Sequence, residues 1–198
     1  MTKARDLANA GTALTTVSAT ELGYLDGVTS AVQTQLNASA TLTGTQTLTN
    51  KTLTSPAINN STSTGSILIA PEERTTVSAT AATGTVNFDA STQGVLYYTT
   101  NASANWTLNV RGTSGATLSS ILAVGDAITV SFLVTNGSTA YYQTAFQIDG
   151  SAVTPKYSGG TAPASGNASS IDVYTYTIVK TAATPTYTVF GAGPIKYA

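Results

Sequence analysis

From residue 75 to the carboxy terminus, apolar and polar side chains alternate with a period of two, and small polar turn formers interrupt the pattern at short intervals. Residues 104–111 put Trp106, Leu108 and Val110 on one face and Thr107, Asn109 and Arg111 on the other. Residues 127–135 turn Ile128, Val130, Phe132 and Val134 inward and Thr129, Ser131 and Thr135 outward. A period of two is the mark of a half-buried strand. The same reading predicts strands over 84–89, 94–100, 140–148, 170–180 and 186–190. The punctuation between them (Gln-Gly, Gly-Thr-Ser-Gly, Val-Gly-Asp, Asn-Gly-Ser, Asp-Gly-Ser, Ser-Gly-Gly) is turn chemistry. Many short strands with no helical period predict an antiparallel β-sandwich, jelly-roll-like, over 75–198.

Residues 1–38 carry the one helical period. Ser18-Ala-Thr-Glu21 has the spacing of a capping box. Leu22 and Leu25 follow at helical spacing, and Asp26-Gly27 supplies a stop. A second short helix restarts at Thr29 or Ser30. Leu22, Leu25, Val28, Val32 and Leu36 then advance by threes and fours along one seam. Helices this short are marginal in water unless something covers their apolar stripe. They pack either on their own domain or on identical copies around a symmetry axis. The second reading is favoured because little apolar mass lies nearby in the sequence.

Between them, residues 39–74 repeat Thr-Leu-Thr at 41–43, 47–49 and 52–54, with Pro56 and Pro71 as punctuation. Single leucines among threonines cannot close a core in one chain. Three copies wound about one axis would bury Leu42, Leu48, Leu53, Ile58, Ile67 and Ile69 as a β shaft. A Ser/Thr linker is the plainer alternative. The expected protein is thus mainly β and trimeric: short amino-terminal helices forming an anchor over 1–38, an extended Thr-rich shaft or linker over 39–74, and a sandwich head over 75–198.

Composition narrows the functions this architecture can serve. The 198 residues are 41% hydrophobic but only 9% charged, with a net charge of −1, far below the usual charged share of about 25%. No basic footprint for nucleic acid or anionic lipid is present. Ten Tyr, four Phe and one Trp argue against disorder along the whole chain. Cysteine and histidine are both absent, which removes disulfides, thiolate sites, the commonest general base and the commonest zinc ligand together. The first residues lack the apolar core of a secretion signal, and no apolar run is long enough to span a bilayer. Synthesis in a cytoplasm without membrane insertion is therefore expected.

No catalytic constellation emerges. Without His, a serine nucleophile would need Lys or a carboxylate as its base, and no lysine sits in a Ser-x-x-Lys context. Asp89, Asp126, Asp149 and Asp172 each lie beside a turn or strand edge rather than as the converging pair a glycosidase needs. No metal-ligand or cofactor spacing is seen. The better candidates for recognition are aromatic. Tyr141, Tyr157 and Tyr174, among Asn, Gln and Thr, suit a low-charge contact surface, and the Gly/Ser/Pro-rich stretch 151–169 is the loop to carry it.

Three stretches carry a family resemblance. The first runs Thr16-Val-Ser-Ala-Thr-Glu-Leu-Gly-Tyr-Leu-Asp-Gly-Val-Thr-Ser-Ala-Val-Gln-Thr-Gln-Leu36 and resembles a motif of phage tail-fibre proteins. The second, Leu48-Thr-Asn-Lys-Thr-Leu-Thr-Ser-Pro56, is similar to one found in virion proteins of marine phages. The third, from Phe146-Gln-Ile-Asp-Gly150 to Asp172-Val-Tyr-Thr-Tyr-Thr-Ile178, resembles virion structural proteins of cyanophages. The resemblance implies a homotrimeric, non-enzymatic virion appendage. It would attach to other virion proteins through its amino-terminal segment and turn its carboxy-terminal head toward a host-surface glycan or protein. A tail fibre is the leading expectation. A head fibre or capsid decoration protein is the alternative, and a polysaccharide-degrading spike or a bacterial adhesin module is less favoured.

Overall fold

The computed structural model describes residues 3–4, 18–24, 26, 28, 31, 47–56, 58 and 62–198. The chain divides into two units, Met1–Thr64 and Gly65–Ala198. In the first, helix α1 spans Ala19–Gly23 and opens on the anticipated capping box. The Ser18 amide donates to Glu21 Oε2 at 2.7 Å, and the Glu21 amide donates to Ser18 Oγ at 3.1 Å. These bonds hold the Glu21 carboxyl below its ordinary pKa, the backbone bond contributing most. Of the proposed seam, Leu22 lies on α1 and Val28 is exposed, whereas Leu25, Val32 and Leu36 fall outside the described residues. The described residues from 47 to 74 form no strand, and Leu48, Leu53, Ile58, Ile67, Leu68 and Ile69 are all exposed. Too few apolar residues stand here for one chain to cover its own.

The second unit is mainly β. Its strands are β1 Thr75–Ala81, β2 Gly84–Asp89, β3 Val95–Thr100, β4 Trp106–Arg111, β5 Ala127–Asn136 and β6 Gln143–Ile148. The short β7 Ser151–Ala152 and β8 Lys156–Tyr157 follow, then the long β9 Ser170–Ala182 and β10 Thr186–Tyr197. A single-turn helix α2, Leu118–Ile121, lies between β4 and β5. Seven of these strands lie where the alternation placed them. The exposed β1 and the two-residue β7 and β8 carry too little pattern to be read.

The pairing corrects the antiparallel, jelly-roll-like expectation. One sheet has the order β1-β3-β5-β9-β10-β8 and the other β2-β4-β6-β7. Both are mixed, with five parallel and three antiparallel pairings. The first six strands alternate between sheets, so each returns to its own sheet parallel to its predecessor. The strand in the opposite sheet serves as the crossover that parallel pairing requires. Turn residues mark where the chain reverses. They do not say whether the next strand hydrogen-bonds to the last one or packs across from it. The Asp149-Gly150 turn does close a true hairpin, β6 to β7, with φ of 51° and 78°, the positive values a two-residue hairpin demands.

The inner faces of the two sheets share one core. From the four-stranded sheet, Trp106 sets its indole edge-on to Phe132 and Tyr174 of the six-stranded sheet, with centroids 6.0 and 5.8 Å apart. Phe146 packs on Tyr176 at 4.5 Å. Val86, Phe88, Leu108, Val110, Val130, Val134, Ile148 and Ile178 fill the remainder.

Candidate functional site

The stretch 151–169 was the expected recognition loop. It leaves the four-stranded sheet at β7, crosses to the six-stranded sheet at β8, and so straps one edge of the second unit. Its far end is tied down by Asp172, a fully buried carboxylate on the inner face of β9. Asp172 Oδ2 accepts from the Asn167 amide at 2.9 Å and from Asn136 Nδ2 at 3.1 Å, and Oδ1 accepts from Asn167 Nδ2 at 2.8 Å. Gly166 sits so close that a Cβ there would strike the Tyr141 carbonyl oxygen. The strap is therefore fixed, and it leaves a cleft of about 280 Å³ against the edge of β6, lined by Thr144, Phe146, Val153, Pro155, Tyr157 and Pro163.

The three tyrosines proposed for recognition do not gather there. Tyr157 lines the cleft, half-buried, with its hydroxyl 3.4 Å from that of Tyr176. Tyr141 is half-buried and packs on the core away from the cleft lining. Tyr174 is wholly buried against Trp106, which corrects its assignment to an outer surface. The error was one of parity: along β9 the inward set is Asp172, Tyr174, Tyr176, Ile178 and Lys180. Burial raises the pKa of Tyr174 and Tyr176 well above the ordinary tyrosine value.

Asp89, Arg111, Asp126, Asp149 and Lys180 are, like Asp172, engaged in holding the second unit together. Asp149 caps α2, accepting from the Leu118 amide at 2.7 Å and the Ser119 amide at 3.3 Å. Lys180, buried at the other end of β9, donates to the carbonyls of Ser119 and Leu122 at 2.8 Å each. Asp126 accepts from the Ala123 amide at 2.9 Å. Asp89 pairs with Arg111 at 2.6 Å. Among the described residues no cluster of three or more acidic side chains stands ready for a metal ion. No described helix is long and apolar enough to cross a membrane.

The outer faces of the sheets differ in chemistry. On the four-stranded sheet, Asn87, Asn109 and Gln147 stand in register across β2, β4 and β6. Asn109 donates to Asn87 Oδ1 and accepts from the Gly150 amide, both at 2.8 Å. On the six-stranded sheet, Val77, Tyr97, Leu133, Val173 and Ile195 form one in-register row across five strands. Attention to tyrosines in the sequence missed this row. A signal for it exists, since β9 has apolar residues at both parities (Ile171, Val173 and Val179 as well as Tyr174, Tyr176 and Ile178), the pattern of a strand covered on both faces.

Comparison with protein-family models, with curated proteins and with solved structures finds no match for this chain.

Proposed function

We propose that this chain is a structural, non-enzymatic protein of a virion. More particularly, we read it as a homotrimeric tail fibre of a tailed bacteriophage. The amino-terminal segment anchors it to other virion proteins, residues 39–74 form a shaft when three chains wind together, and the two-sheet head meets the host surface as a β-sandwich. The observation that carries this reading is the run of bare apolar side chains ahead of the head. Leu48, Leu53, Ile58 and Ile67 to Ile69 are between 52% and 90% exposed in the single chain. Leu48 and Leu53 each stand between two threonines, the single-leucine pattern a multi-chain shaft would use. The internal engagement of the buried Asp172 and Lys180 supports a mechanical rather than a chemical role, and no cofactor enters the mechanism. Contacts of modest strength, repeated on three heads, would raise avidity without a strong single site.

Light scattering on the full chain tests the assembly, with three times the 20.1 kDa chain mass expected. A monomer at micromolar concentration and above removes the fibre. Imaging of labelled copies on intact particles separates tail from head placement.

A further inference from the structure

We propose that residues 65–69 of one copy of this chain add as a further strand to the open edge of β2 in a second copy. The inference rests on the multi-chain reading above and names a contact that joins shaft to head. In the four-stranded sheet each strand repeats its neighbour. Thr85, Val86, Asn87 and Phe88 stand in register with Thr107, Leu108, Asn109 and Val110, and these with Ala145, Phe146, Gln147 and Ile148. The second and fourth of each set lie in the core. Ser66-Ile67-Leu68-Ile69 has the same order, a hydroxyl followed by apolar side chains two apart. Ahead of it Thr64-Gly65 repeats Thr83-Gly84, and the two glycines share a left-handed backbone, with φ of 68° and 55°. The segment thus carries the signature of one more strand of this sheet.

The sheet has a place for it. β2 stands first in the strand order, and among the described residues no strand pairs beyond it. Ala90 donates its amide to the Arg111 carbonyl at 2.9 Å, so by alternation Thr85 and Asn87 turn N–H and C=O away from β4, toward the open edge. The edge strand of the other sheet, β1, is interrupted by a register shift between Ser78 and Ala81. β2 runs six residues in unbroken register and holds neither proline nor lysine. Bulges, prolines and lysines are the devices that blunt an edge against further pairing. In the single chain Ile67, Leu68 and Ile69 are 88%, 74% and 90% exposed, so the segment does not lie on its own β2. A second copy supplies the missing edge. Each copy then gives one strand and takes one, a head-to-tail exchange that closes into a ring of three with no β2 edge left over.

The chain contains no cysteine, so a disulfide reports only the pair introduced. Alignment of Ile67 with Val86 sets Leu68 opposite Asn87, and neighbouring strands lie about 4.8 Å apart, inside the range a disulfide spans. Leu68→Cys with Asn87→Cys, both at exposed positions, is the test pair. Leu68→Cys with Gln147→Cys, on β6 two strands further in, is the control. On oxidation the test pair should give species of two and three times the 20.1 kDa chain mass, in about tenfold higher yield than the control. Adding Ile67→Asp and Ile69→Asp, which turn charge inward on the incoming strand, should cut that yield about tenfold. Equal yields from the two pairs overturn the proposal. So does a link confined to one chain, which would lay the segment on its own β2, and so does a yield that survives the two aspartates. Light scattering on the unmodified chain separates this contact from the fibre itself. Absence of the link in a chain of triple mass overturns the contact alone, whereas a single-chain mass removes both.

Discussion

The two sheets share a core yet turn different chemistry outward. On the four-stranded sheet, amides and an ion pair stand in register and satisfy one another, Asn109 to Asn87 and Arg111 to Asp89. Water is an adequate neighbour for such a surface. On the six-stranded sheet, valine, tyrosine, leucine and isoleucine occupy corresponding positions, and single-chain folding leaves them partly bare. Beside that row, hydroxyls pair across β5 and β9, Thr129 with Thr177 and Ser131 with Thr175. The contrast shows that alternation along a strand identifies a buried face but does not settle what the other face is for.

Removing the support common to both sheets should have the largest effect. Trp106→Ala should cost about 3–5 kcal/mol and unfold both sheets in one urea transition; two separate transitions would deny them a shared core. Alkali attacks the same inner faces. Tyr174 and Tyr176 have folded-state pKa values raised by burial, so their contribution is fully present below pH 10 and falls away above it, once unfolded tyrosines ionise. Each should remove about 1.4 kcal/mol per pH unit beyond that point. Tyrosinate absorbance should then rise together with loss of fold in pH-dependent melts, and ionisation of all ten tyrosines without unfolding would contradict the burial. Asp172→Asn sets an amide where the structure needs only acceptors. A loss of about 1–3 kcal/mol is expected, with freer proteolysis of the 161–169 strap.

The outer faces should respond more weakly. Asn109→Ala breaks the amide ladder and leaves the Gly150 amide without its acceptor, at about 1–2 kcal/mol, with mass in solution unchanged. Phe190→Ser, at a half-exposed ring on the other sheet, should shift the melting free energy by no more than about 0.5 kcal/mol, again with mass in solution unchanged. A larger loss for the Phe190 variant than for the ladder variant would reverse this order.

Much of the head was legible in the residues because the period-two signal comes from burial on one side of a strand. The inward sets on β4 and β5, Trp106, Leu108 and Val110 and then Val130, Phe132 and Val134, lie in the core as read. The capping box at Ser18 and Glu21 and the turn at Asp149-Gly150 were legible for a related reason, since each closes within a few residues, although the strand β7 that makes the turn a hairpin was not. Tyr174 was misplaced because a strand with apolar residues at both parities gives no vote on which parity faces in. The roles of Asp172 and Lys180 were hidden because their partners, Asn136 and the Ser119 and Leu122 carbonyls, are remote in sequence.

What the sequence determined by itself was local: strand-forming segments, their turn positions, a helix start, and a composition without histidine or cysteine. Pairing was decided only in three dimensions. Parallel or antiparallel, same sheet or opposite sheet, apolar row or amide ladder all depend on which distant backbone each strand meets. Alternation fixes a side chain's face relative to its neighbours in the chain, whereas hydrogen-bond partners across a sheet are chosen by the packing of the whole unit.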